Sequence, residues 1–127
     1  MEQESLVKVI CDTSFLIHLA TRRIKNIDSI NIEIGNLDFF VPQVVKNELL
    51  NLKNKSKVKF EFEKTLEFIK NLKTIELEGN YADPKILEFV KLNNYFVGTM
   101  DRELKRNIKK NGGSIISFNN DKMILET

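Results

Sequence analysis

A single cysteine, Cys11, in 127 residues leaves no partner for an intrachain disulfide and rules out a cysteine-based zinc site. It lies in an apolar run beside Ile10, where a thiol is expected to be buried and inert. No stretch approaches the roughly 20 apolar residues of a membrane span. The opening "MEQESLVKVI" carries acids where a signal peptide needs bases. These absences lead to the expectation of a cytoplasmic protein without a membrane association. Charge of one sign is also scarce. Twenty Lys and Arg stand against eighteen Asp and Glu, so net charge alone does not argue for a nucleic-acid partner. No repeat, low-complexity tract or interdomain linker is visible, and the length suits one domain, residues 1–127.

What the chain has is alternation. "LVKVIC" (6–11), "DFFV" (38–41), "TIEL" (74–77), "YFVGT" (95–99) and "SIISF" (114–118) read as five short strands. Between them lie helical stripes. Phe15, Leu16, Leu19 and Ala20 form the first, within residues 13–23. Val45, Leu49 and Leu52 form the second, with Pro42 suited to its first turn. Val58, Phe62, Leu66 and Ile69 form the third, and Ile86, Leu87 and Val90 the fourth. Leu104 and Ile108 mark a fifth helix, which Gly112 and Gly113 terminate. Residues 26–37 are ambiguous, since Ile27, Ile30 and Ile34 suit a helix while Ile32 and Gly35 do not. Strands alternating with helices predict an α/β fold, a three-layer α/β/α sandwich around a mainly parallel five-stranded sheet. In such sheets ligands bind beyond the carboxyl ends of the strands.

Four acids fall at or near such places. Asp12 closes the first strand and Asp101 the fourth. Asp83 precedes Pro84, as a helix cap would, yet shares a stripe with Ile86, Leu87 and Val90. Glu48 borders the apolar face of Val45 and Leu49. A cap accounts well for Asp83, moderately for Asp101, less well for Asp12 and hardly for Glu48. Gathering four carboxylates raises their proton affinities, and a divalent cation offsets that cost. With no partnering His or Cys, oxygen ligation selects Mg2+ or Mn2+ over zinc. Such an ion activates water and steadies charge on a phosphoryl group. The fifth helix would hold a polyanionic backbone through Arg102, Lys105, Arg106 and Lys109. A second basic run, residues 46–64, holds six Lys and three Glu and reads as a solvated face. His18 reads as a packed or half-exposed imidazole, Tyr81 as loop packing, and Phe60 or Phe62 as able to stack a base.

The strings "VICDTSFL", "VPQVVKNELLNL", "GNYADPKILEFV" and "VGTMDRELKRNIKKNGGSIISF" resemble the successive motifs of the PIN-domain ribonucleases, in order and over nearly the whole chain. The resemblance is nearest to the small-subunit ribosomal RNA processing endonucleases and their small archaeal relatives. It implies a sandwich around a parallel sheet, and Mg2+ or Mn2+ bound by four acids to hydrolyse single-stranded RNA, such as a ribosomal RNA precursor. Asp12, Glu48, Asp83 and Asp101 match the four catalytic, metal-binding acids in turn. Thr13 and Ser14 match the polar pair after the first acid, where Asn is commoner than Ser at the second place. Thr99 matches the hydroxyl before the fourth acid, and Glu103 is an accessory acid or a partner of Arg106 or Asn107. Pro84 replaces an acid often found after the third. Within the family, a toxin with a protein partner, a homodimer, and an RNA-binding subunit with vestigial cleavage stay open. A receiver-type domain would need paired acids where "ICDTS" has one, and a haloacid-dehalogenase-type phosphatase needs D-x-D where Ser14 stands.

Overall fold

The computed structural model describes residues 6–26, 35–57, 59–79 and 81–127. Ile27, Ile30, Ile32, Ile34 and Val58, named above, lie outside them. Strand β1 (Leu6–Cys11) is central. On one side it pairs in parallel with β2 (Asn36–Pro42), which pairs in parallel with β3 (Lys73–Ile75). On the other it pairs in parallel with β4 (Phe96–Gly98), which pairs with β5 (Ile115–Asn119). The β-branched and aromatic residues of β1, β2 and β5 suit strands covered on both faces.

The expected count of five strands is one short. A sixth, β6 (Lys122–Glu126), pairs antiparallel with β5 and completes the order β3-β2-β1-β4-β5-β6. Its cause is local. Asn120 and Asp121 both take positive φ, 51° and 65°, and form a two-residue hairpin turn. Asn and Asp tolerate that left-handed conformation, which matches the twist of the flanking strands. An Asn-Asp pair between "IISFN" and "KMILE" was the available signal.

Five described helices flank the sheet: α1 (Thr13–Thr21), α2 (Gln43–Lys55), α3 (Phe60–Ile69), α4 (Ala82–Leu92) and α5 (Arg102–Lys110). Parallel crossovers are right-handed. The chain steps outward from β1 through β2 to β3, so α1, α2 and α3 share one face. It then returns past β1 to β4 and β5, which puts α4 and α5 on the other. The packing agrees: α1 and α2 both lie on α3, and α4 lies on α5. Among the described residues no helix is long and apolar enough to cross a membrane.

Two of the expected stripes shift. Pro42 ends β2 and occupies the N-cap of α2 rather than its first turn, and α2 buries Val44, Val45 and Leu49 while Leu52 is exposed. In α3 the buried residues are Thr65 and Ile69, with Phe62 and Leu66 half-buried. Helix α5 buries Leu104 and Ile108 as expected. It stops at a double bond pattern: Gly113 N donates to Ile108 O (2.9 Å) and Gly112 N to Lys109 O (3.0 Å). Gly112 takes φ +76°, the left-handed conformation that ends helices.

Candidate active site

The strand order reverses between β1 and β4. The helices that follow these two neighbouring strands leave on opposite faces, which opens a crevice at their carboxyl ends. Asp12 stands there directly after β1, and Asp101 stands two residues beyond Thr99 after β4. Asp12 N donates to Gly98 O (2.9 Å), tying the two strand ends together. Gly98 leaves room for the Phe15 ring of α1 beside this junction: a Cβ there would meet Phe15 Cδ2 at 2.8 Å, inside contact distance.

Asp12 is buried and heavily bonded. Its Oδ1 accepts the Phe15 amide (2.9 Å) and the Ser14 hydroxyl (3.0 Å), and its Oδ2 accepts the Thr99 hydroxyl. Burial nevertheless pushes its carboxyl up. The bonds from Thr99, Phe15 N and Ser14 pull it back, and the charge of Asp101 pushes further upward. Burial likewise raises the thiol of Cys11, as befits an inert core cysteine. Thr99, fully buried, also accepts the Asp101 amide through its Oγ1 (3.0 Å). Asp101 in turn caps α5, its Oδ1 accepting the Leu104 amide (2.9 Å).

Glu48 comes from the second turn of α2 and reaches the same crevice. Thr13, at the start of α1, donates its hydroxyl to Glu48 Oε1 (2.7 Å). Asp83 comes from the first turn of α4. Its carboxyl is pushed up to about 6, first by burial, then by the charges of Asp12, Asp101, Glu48 and Glu103. The four acids expected from the sequence therefore act on one another electrostatically, although they span residues 12 to 101.

The capping expectation holds for Asp101 and is exchanged between Asp12 and Asp83. Asp12 and Asp101 are N-caps with side-chain bonds to the third residue of their helices. Asp83 is not a cap, because Tyr81 occupies that position and makes no side-chain cap bond. Helix α4 begins two residues earlier than the Asp-Pro pair suggests, which turns Asp83 inward, as its stripe with Ile86, Leu87 and Val90 predicts, instead of over the helix end. Tyr81 does not pack its loop; its side chain is exposed.

The cations of α5 divide. Lys105 and Lys109 grip Glu126 of β6 at 2.8 Å and 3.0 Å. Hydrogen bonds from Lys105 and Ser117 hold the Glu126 carboxyl down at about 2, with Lys109 adding to them. Arg102 and Arg106 are exposed and form no ion pair among the described residues. The expected grouping of all four as a polyanion-binding face missed Glu126, which belongs to the unforeseen sixth strand. His18 is half-buried and stacks on Phe118 with ring centroids 4.1 Å apart. Its Nε2 lies 3.0 Å from Asp121 Oδ1, but at an angle that makes no proper hydrogen bond. Phe60 is exposed, with Lys64 Nζ 6.0 Å from its ring centre.

The donor set in the crevice is carboxylate and hydroxyl oxygen, which suits a hard divalent cation. The raised Asp83 carboxyl, due first to burial, also carries the repulsion from neighbouring acids that such an ion would relieve. Among the described residues no three acids already close on a common point as a metal cage. Binding would therefore have to draw the side chains together.

Acids crowded at the switch point of a mainly parallel sheet, beside exposed arginines, are an arrangement of the kind that metal-assisted phosphoryl hydrolysis uses. The family follows from the sequence match: the chain belongs to the PIN like domain family, whose model matches residues 9–120. It is 32% identical over 112 residues to Ribonuclease VapC4 from Methanocaldococcus jannaschii, covering 84% of this chain and 86% of that one. The solved structure of the PIN domain endonuclease Utp24 superposes with a TM-score of 0.75 at 25% identity, over 94% of this chain and 90% of that one. VapBC2 from Rickettsia felis, solved bound to a promoter DNA fragment, shares the fold with a TM-score of 0.52 at 17% identity, over 93% of this chain and the whole of that one.

Proposed function

We propose that this protein is an endoribonuclease that hydrolyses phosphodiester bonds of single-stranded RNA with Mg2+ or Mn2+ held by Asp12, Glu48, Asp83 and Asp101. The observation that carries this reading is the convergence of those acids at the β1/β4 crevice, where Thr99 bridges Asp12 and Asp101, Thr13 bonds Glu48, and the other acids add to burial in raising the carboxyl of Asp83. Both the ribonuclease VapC4 and the endonuclease Utp24 likenesses support the activity. When bound, the cation supplies an activated water and neutralises charge on the phosphoryl group.

The chain's own groups do the rest. Thr99, Ser14 and the Phe15 amide hold Asp12 in one orientation, and Thr13 holds Glu48. Arg102 and Arg106 lie one helical turn apart beside Asp101, where they bind the RNA backbone and set its register. Lys105 and Lys109 add positive field from their pair with Glu126 but are not free to leave it cheaply.

The test is incubation with structured and single-stranded RNAs in Mn2+, in Mg2+ or in chelator. Cleavage of single strands that stops with chelator and in Asp12→Asn is the expected result. Cleavage that persists in either condition, or none with any RNA, overturns the reading.

For the biological role, the motif resemblance to ribosomal RNA processing endonucleases favours cleavage of a ribosomal RNA precursor, and the likeness to the PIN domain endonuclease Utp24 supports endonuclease activity. The alternative is a ribonuclease toxin restrained by a protein partner; the 32% identity to Ribonuclease VapC4 supports the ribonuclease activity that both readings share. Expression in a host cell separates them. Growth arrest relieved by a small protein encoded beside this gene marks the toxin, whereas accumulation of uncut ribosomal precursor on its loss marks the processing enzyme. The retained acids oppose a subunit with vestigial cleavage.

A further inference from the structure

Next to the acids, α4 and α5 enclose a cavity of about 270 Å3 lined by Asp83, Pro84, Leu87, Glu103, Leu104 and Asn107. Its size falls just below the roughly 300 Å3 at which small-ligand clefts begin, which suits a single ring system. Its walls differ in chemistry. Pro84, Leu87 and Leu104 provide an apolar surface for a flat face. Glu103 and Asn107 stand one turn apart on the same side of α5, so both side-chain ends reach the same opening. Neither side chain has a hydrogen-bond or ion-pair partner among the described residues; the Asn111 side chain bonds the backbone oxygen of Asn107, not its amide. Two carboxylates at the rim repel a phosphate and admit a neutral base.

We propose that this cavity is a base site: it takes the unstacked base of the nucleotide beside the scissile phosphate, and Glu103 with Asn107 selects guanine. The position beside a scissile phosphate rests on the nuclease reading; the base preference rests on the cavity alone. Guanine presents two adjacent N–H donors, N1–H and N2–H, beside one acceptor, O6. The carboxylate of Glu103 accepts the two donors, and the amide nitrogen of Asn107 donates to the acceptor. Adenine and cytosine turn a ring-nitrogen lone pair toward the carboxylate, and uracil flanks its one donor with two carbonyls. Single-stranded RNA exposes these edges because its bases are not paired.

Two measurements test this. The first adds guanosine 5′-monophosphate or adenosine 5′-monophosphate to metal-free protein and follows the Leu87 methyl and Asn107 side-chain amide signals by NMR. The second cuts a set of RNAs, each with one changed base, in Mn2+. The expected result is movement of both signals with the guanine nucleotide only, and cleavage beside guanine favoured about tenfold to a hundredfold. That preference falls to near unity in Asn107→Ala and Glu103→Gln. Cleavage without base preference, or with the same guanine preference in both variants, overturns the base site and leaves the nuclease reading standing. Preference for another base, lost in Asn107→Ala, overturns the choice of guanine. Signal movement with the guanine nucleotide but no cleavage of any RNA upholds the base site and removes the nuclease reading.

Discussion

The hydroxyl of Thr99 donates to Asp12 across 87 positions of sequence, and the same oxygen accepts the amide of Asp101. One buried side chain thus joins the first and last acids of the crevice. Thr99→Val keeps the shape but leaves the Asp101 amide and one Asp12 oxygen without a partner. The expected loss is about 1–3 kcal/mol of stability, with a matching fall in RNA cleavage. Denaturant unfolding and a cleavage assay on the same preparation measure both. A neutral result in each would show that the bridge holds nothing.

Metal binding should stabilise the fold. An ion that binds only the folded protein raises the melting temperature with concentration, by about 2.7 kcal/mol at a hundred times its dissociation constant. Asp12→Asn should remove most of that response to Mn2+ or Mg2+ while remaining folded. An unchanged response would place the ion elsewhere.

Without metal, stability should fall with rising pH on account of Asp83. Its folded-state carboxyl, at about 6, lies above the ordinary 3.8, so the folded protein keeps a proton that the unfolded chain releases. The stability from that proton is complete below about 3.8 and is lost as pH rises to about 6. Asp83→Asn should therefore flatten thermal stability over this window and melt higher than the parent protein above it. Equal slopes for the two proteins would mean that neither burial nor the neighbouring acids raise the Asp83 carboxyl.

Glu126 gives the opposite sign. Its folded-state carboxyl, at about 2, lies below the ordinary 4.5. Its contribution is complete above about 4.5 and is lost as pH falls toward 2. Glu126→Gln should lower the melting temperature at neutral pH and reduce the loss on acidification, as read by circular dichroism from pH 7 to pH 2. It should also free Lys105 and Lys109, strengthening RNA binding at low salt.

Replacing Arg102 and Arg106 with Ala should weaken RNA binding and flatten its salt dependence by roughly 0.7 of a log–log unit per lost phosphate contact on a single strand. Lys105→Ala should instead lower stability, since Lys105 holds Glu126, and change the salt slope less. Filter binding across a salt series, beside thermal melts, separates the two roles. A larger change of slope from Lys105 than from the arginines would reverse the assignment.

The sequence by itself determined five of the six strands, the five described helices and the acids that fall at their ends. Alternating short apolar runs and helical stripes are local signals, as is the Gly112–Gly113 stop, so they survive without knowledge of distant contacts. The order of Asp12, Glu48, Asp83 and Asp101 along that alternation was legible for the same reason. What only the tertiary structure decided is how these pieces meet. Asp83 reads both as a cap from its Asp-Pro pair and as an inward residue from its stripe, and α4, beginning at Ala82, decides for the stripe, while Asp12 as well as Asp101 is a cap. Lys105 and Lys109 read as free cations until β6 carries Glu126 under them. The Thr99 bridge depends on β1 and β4 being neighbours. Strand order is set by pairing and packing between segments far apart in the chain, and periodicity within a segment carries no record of which strand lies beside it.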